Sequence, residues 1–176
     1  LNAKLKLASA TVDDLTNTVR QSYPDYAALA HPGAVDLAAV QKQLASDDAM
    51  LFFIVGESSS YALVVRQNGF ASVPLAIGRD ALTADVDDLR AAFVPALGRV
   101  PEFSLKNSYA LYKALVAPAE SKLAGVNHLI IVPGGPLSSL PLSLLVSQDP
   151  GDSRDYSNAA WLVRRFAISE VPSPRS

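Results

Sequence analysis

The sequence predicts an α/β domain of three layers built on a mixed sheet. Two observations lead there. Three compact apolar runs separated by short turns occupy residues 49–77, the pattern of an antiparallel meander. A later run, His128 to Val132, is apolar almost throughout, as in a parallel-type core strand covered on both faces. Helical stripes flank both, so the sheet has something to pack against on each side.

The elements follow in order. Leu5, Ala8, Val12, Leu15 and Val19 recur at steps of three and four and predict a helix. Tyr23-Pro24 ends it, because the residue before proline is pushed out of helical geometry. A short helix is expected from Asp36 as cap, with Leu37, Val40 and Leu44 on one face. The period then changes. Ala49–Val55 and Tyr61–Val65 read as strands, with Gly56–Ser60 as the loop between them. Asn68-Gly69 is the strongest hairpin signal, since both residues tolerate positive φ. It predicts a two-residue turn pairing Val64–Arg66 with Ala71–Val73, the third strand running over Phe70–Ile77. Helical period returns with Asp80 as cap and Leu82, Val86, Leu89 and Phe93 as stripe. Another helix is expected from Ser104, with Leu105, Tyr109, Tyr112 and Leu115 facing inward and Pro118 near its end.

After the His128–Val132 strand come Pro133-Gly134-Gly135-Pro136, a short helical stretch around Leu140–Leu145, and a polar loop over Gln148–Asn158. Trp161–Ile168 is apolar again and reads as a returning strand, which makes a βαβ-like unit. No repeat is visible at solenoid periods.

Composition narrows the function classes. Of 176 residues, 49% are apolar and 18% charged, so a real core is expected rather than disorder. Fifteen basic residues against seventeen acidic ones give a net charge of −2 without a basic stripe, which argues against nucleic acid. The sequence has no cysteine, which excludes disulfides, thiolate metal sites and a cysteine nucleophile within these residues. Leu1–Leu7 carries Lys4 and Lys6 with no apolar run behind it, so neither a signal peptide nor a membrane anchor is expected there. With no export signal, the expected location is cytoplasmic. Starting without Met and stopping at Pro174-Arg175-Ser176, the chain reads as a piece of something longer.

Few residues suggest chemistry by themselves. Val132–Pro141 lacks the lysine of a phosphate loop and the G-x-S-x-G of a serine elbow. The amides of Gly134 and Gly135 suit either an anion-binding nest, and with it a small ligand, or a structural turn; the two flanking prolines favour the turn. His31, before Pro32, reads as a solvated loop residue, and His128 as a structural opener of its strand. Neither has an acidic neighbour at metal-ligand spacing. Asp85, Asp87 and Asp88 form a solvated helix face, and Tyr109 and Tyr112 pack with their hydroxyls near the rim. No catalytic, cofactor-binding or metal-ligating residue is assigned, and no cofactor is expected.

The stretch His128-Leu129-Ile130-Ile131-Val132-Pro133-Gly134-Gly135-Pro136-Leu137-Ser138-Ser139-Leu140-Pro141 resembles the signature of the CHAT domain family. These are bacterial caspase-like modules found after tetratricopeptide repeats. The family usually has an acidic residue where Gly134 stands here. Tyr23–Leu29 resembles the family's entry segment, Ala49–Gly56 with Tyr61–Val65 its first hairpin, and Trp161–Ser173 the strand after its signature. The resemblance implies residues 1–22 as a helical linker or the end of a repeat array. It implies residues 23–176 as the N-terminal part of a CHAT domain, its sheet incomplete around a caspase-like core strand. The implied activity is cysteine peptidase chemistry, with a histidine and a cysteine that match no position here. The expected function is thus part of a caspase-like peptidase domain, inactive by itself; the alternative is a non-catalytic pseudo-protease scaffold. Implied partners are proteins or peptides and the remainder of the CHAT domain, with no nucleic acid and no membrane. In that architecture Ile130, Ile131 and Val132 lack a neighbouring strand, which predicts self-association through the edge or its coverage by a segment such as Val163–Val171 or the N-terminal helix.

Overall fold

The computed structural model describes residue 22 and residues 36–94 and 101–171. The expected lead-in helix, the Tyr23–Leu29 segment and His31 lie outside the described residues. The chain divides into two compact units, Leu1–Leu37 and Ala38–Ser176, and the sheet lies wholly in the second.

The sheet has five strands: β1 (Asp48–Val55), β2 (Ser60–Arg66), β3 (Gly69–Leu75), β4 (His128–Val132) and β5 (Ala167–Glu170), in the order β3-β2-β1-β4-β5. The first three form the expected antiparallel meander. β4 runs parallel to β1 and β5 parallel to β4, so the sheet is mixed. Helices α1 (Leu37–Gln43), α2 (Arg79–Ala91), α3 (Leu105–Leu115) and the one-turn α4 (Leu162–Arg165) complete the regular structure, with 3-10 turns over Ala117–Lys122, Gly135–Ser139 and Leu142–Leu144.

Strand alternation divides the core in two. Ala49, Leu51 and Phe53 of β1, Ala62 and Val64 of β2 and Leu129 and Ile131 of β4 face the larger core. They pack there with Leu82, Val86 and Leu89 of α2 and Leu111, Tyr112 and Leu115 of α3. Met50, Val65 and Val132 face the other way, against Val40 and Leu44 from α1 and the loop after it. The three-layer reading therefore holds, with a thick side and a thin one.

The hairpin after β2 has the expected two-residue loop, shifted by one position. Arg66 pairs with Gly69 and Val64 with Ala71, so Gln67 and Asn68 are the turn and Gly69 already belongs to β3. The cause is tertiary: the Gln41 side-chain amide of α1 donates to the carbonyls of Arg66 and Gly69, at 3.0 and 3.1 Å. The loop after β1 covers residues 56–59 and β3 stops at Leu75 rather than Ile77.

Helix α2 is not capped by Asp80. Gly78 is its N-cap, without a side-chain bond, and the Arg79 amide is taken by the carbonyls of Gly56 and Glu57. Phe93 falls beyond the helix and is 55% exposed, so it leaves the stripe. Ser104 does cap α3, its hydroxyl accepting from the Asn107 amide at 3.1 Å.

The largest corrections concern the last third. Residues 161–168 are not one strand, since Leu162–Arg165 is helical and β5 begins at Ala167. Leu162 donates to Leu145 at 2.7 Å and Trp161 bridges to Val146, which holds this segment against the preceding loop. Nor is β4 an edge. The Ala167 amide donates to Asn127 and the Val171 amide to Ile131, at 2.8 and 2.9 Å, so β5 satisfies the side of β4 left open in the borrowed architecture. Coverage by the 163–171 segment is the outcome, and Ile130, Ile131 and Val132 lie inside the sheet.

Candidate functional site

Two places gather what chemistry the described residues offer, one at each end of β4.

At the C-terminal end of β4 the chain enters Pro133-Gly134-Gly135-Pro136, and two glycines stand there for different reasons. Gly134 has extended geometry (φ −114°, ψ 140°), but an added Cβ would lie 2.2 Å from the Phe53 carbonyl oxygen of β1. Gly135 has φ +54°, the left-handed region, while the space beside it is ordinary. Leu137, Leu140, Leu142 and Leu145 then drive the following 3-10 turns into the main core. The Glu170 carboxylate accepts from the Leu142 amide at 2.9 Å, tying the turn back to β5. Arg79 borders Gly135, and its guanidinium donates to the Val55 carbonyl at 2.9 Å. The Gly135 amide is followed by Pro136 and the Gly134 carbonyl accepts from Leu137, so this is a packed turn. Replacing Gly135 by valine is expected to cost about 1–3 kcal/mol through strain alone. Denaturant melts check it, and a loss near zero contradicts it.

At the N-terminal end of β4 the three parallel strands bring together Asp48, His128 and Ser169. His128 Nδ1 lies 3.0 Å from Asp48 Oδ1, and His128 Nε2 lies 2.9 Å from Ser169 Oγ. The His128 side chain is 34% exposed and that of Asp48 16%, so the row is open to small solutes but not loose. The second Asp48 oxygen accepts from the Ala45 amide at 2.8 Å. That amide first, and His128 with it, hold the Asp48 carboxyl below the usual carboxylate range against the opposing effect of burial. Next to it, Asp47 accepts from the Asn127 side chain at 3.2 Å.

The sequence singled out His128 only as a strand opener and did not single out Asp48 or Ser169. They are separated by 80 and 41 residues from His128, so no local motif joins them. The available signal was positional: each is the polar residue beside an otherwise apolar run.

The remaining candidates behave as structure. Asp85, Asp87 and Asp88 are exposed on α2, with burial, then repulsion from Asp88, pushing the Asp85 carboxyl up. Tyr112 is buried and its hydroxyl donates to Glu120, which also binds Arg165 of α4. Burial and the Glu120 carboxylate push that phenol up to about 12. This ties the crossover into β5 onto α3. Phe93, Phe103 and Trp161 pack in sequence as tilted ring pairs, 5.8 and 5.9 Å between centroids, beside an open cavity of about 680 Å³. Among the described residues no group of three His, Cys, Asp or Glu is placed to hold a metal ion. Among them, too, no helix is long and apolar enough to cross a membrane.

Taken together, the mixed sheet, the parallel core strand and the glycine turn leading to a parallel return define an α/β domain of βαβ type at its C-terminal end. The family model described as the CHAT domain matches residues 105–176 of this chain. The match takes in α3, β4, the glycine turn, α4 and β5, and supports a partial CHAT domain with a caspase-like character. The entry segment and the first hairpin, where the sequence also resembles the family, lie outside the matched residues. No curated protein matches the chain.

Proposed function

We propose that this chain supplies the non-catalytic part of a CHAT caspase-like cysteine peptidase domain. The observation that supports this best is the family match falling on β4, its glycine turn and β5. A peptidase of that kind attacks the peptide carbonyl with a thiolate activated by a histidine. The sequence has no cysteine, so the nucleophile must come from outside these 176 residues. The role left to this chain is to hold the meander, the core strand and the turn in place for that remainder, which is then its partner, along with the protein or peptide cleaved. A non-catalytic pseudo-protease scaffold is the second reading, favoured by the same absence of cysteine.

The purified chain is expected to cleave no member of a peptide library in a manner blocked by an alkylating reagent. Alkylation-sensitive cleavage by material free of contaminating protease overturns the proposal. Mixing or fusing the chain with the segment that follows it in the gene separates the two readings. Alkylation-sensitive cleavage then appears for a peptidase and stays absent for a scaffold.

A further inference from the structure

Asp48, His128 and Ser169 lie in one row on the α1 face of the sheet, and the register shows how they meet. Asp48 is directly opposite His128 across β1 and β4, while Ser169 is opposite Ile130 across β4 and β5. Ser169 is therefore displaced by two residues from His128. Two residues is one pleat repeat, about 6.6 Å along the strand, so both side chains point to the same face and the imidazole spans the offset.

The hydrogen positions follow from the acceptors. An ionised carboxylate only accepts, and Asp48 is kept ionised by the Ala45 amide and His128. The hydrogen between Asp48 and His128 must then sit on Nδ1. A neutral imidazole carries one hydrogen, so Nε2 presents its lone pair at 2.9 Å to Ser169 Oγ and the hydroxyl donates to it. A hydroxyl on a base, with that base oriented by a third group, is the arrangement that activates a serine.

We infer that Ser169 is a nucleophilic serine, with His128 as its general base and Asp48 as the residue that positions the base, acting on small activated acyl esters. Small esters are the class because Ser169 lies on an exposed strand at the sheet edge, and none of the cavities described is lined by it. In the first step Oγ attacks the ester carbonyl carbon, the Oγ–C bond forms, and the hydroxyl proton passes to Nε2. Collapse breaks the bond to the leaving alkoxide or phenolate, which takes that proton. Water then attacks the acyl-serine, giving its proton to Nε2 and on to Ser169 as the carboxylic acid leaves. This chemistry is separate from the thiol chemistry proposed for the parent domain and does not depend on it.

The test uses the whole chain with p-nitrophenyl acetate and a fluorophosphonate probe. The adduct is expected on Ser169 by mass spectrometry, and Ser169→Ala removes both it and the ester hydrolysis. His128→Gln is expected to slow both by about 100-fold or more, the contribution of a positioned base. Asp48→Asn slows them less.

Because the chain has no cysteine, Ser169→Cys adds a single thiol with nearly the same shape. That thiol is expected to react with iodoacetamide at neutral pH about 10-fold faster than in the His128→Gln background, since a nearby histidine favours the thiolate. Phosphonate labelling spread over other serines, or rates unchanged in His128→Gln and the same for the new thiol in both backgrounds, overturns the inference. Variants that lower the unfolding midpoint while leaving labelling unchanged show a clasp between strands and no nucleophile.

Discussion

Replacing Gly134 by alanine is expected to destabilise the domain by about 3 kcal/mol, the upper end of what overpacking costs. The argument is one of space. Gly134 adopts backbone angles that alanine adopts freely, so conformational strain contributes nothing. The added methyl would instead lie 2.2 Å from the Phe53 carbonyl oxygen and 3.1 Å from its carbon. Both belong to β1 near the middle of the sheet, whose Phe53 side chain is buried in the main core. Neither partner yields easily, so relief requires β4 and β1 to separate where the chain leaves the sheet. Gly135→Ala at the next position adds only the φ penalty, since its nearest neighbours stand at 3.5–3.6 Å. Urea melts should therefore rank Gly134→Ala well above Gly135→Ala. With a slope of about 2 kcal/mol/M, the former lowers the midpoint by about 1.5 M. Equal midpoints for the two variants contradict the close approach.

The same turn shows how far the sequence carries. That a buried strand ends in a glycine turn at Val132 is legible from an apolar run followed by Pro133-Gly134-Gly135-Pro136. Which glycine answers a spatial demand and which a conformational one is not, because the Phe53 carbonyl comes from a strand about 80 residues earlier. The meander and the buried stripes of α2 and α3 were legible because period is a local property. The hairpin position was not, since Gln41 of α1 selects it. A two-residue change in register keeps every side chain on its face, so the core of the meander was right although the turn was displaced.

Trp161–Ile168 was misread because a short apolar run carries no period of its own. Leu162 turns into the main core, and Arg165 is drawn to Glu120. The sequence left self-association and coverage by Val163–Val171 as alternatives for the open side of β4, because β5 is only four residues long and its burial pattern alone hardly marks it as a strand. The row Asp48–His128–Ser169 left only a positional signal, polar residues beside apolar runs, because its assembly is set by which strands become neighbours.

Leu129→Ala is expected to be among the most damaging single truncations in the domain, at about 2–5 kcal/mol, while Ile130→Ala in the same strand costs clearly less. Leu129 is fully buried and faces the thick side of the sheet. Its strand neighbours there are Ala49 on β1 and Ile168 on β5, with α2 and α3 packed into the same core. Flanking strands hydrogen-bonded to β4 on both sides keep the site from collapsing, so most of the cavity stays open and its full cost is felt. Ile130 points to the thin side, where α1 and the loop after it leave it only partly buried. Less transfer free energy is lost there, and water reaches the gap. Thermal or urea unfolding of the two variants reads the difference directly. Similar losses would mean that β4 is covered equally on its two faces, and so would contradict the division of the core into a thick and a thin layer.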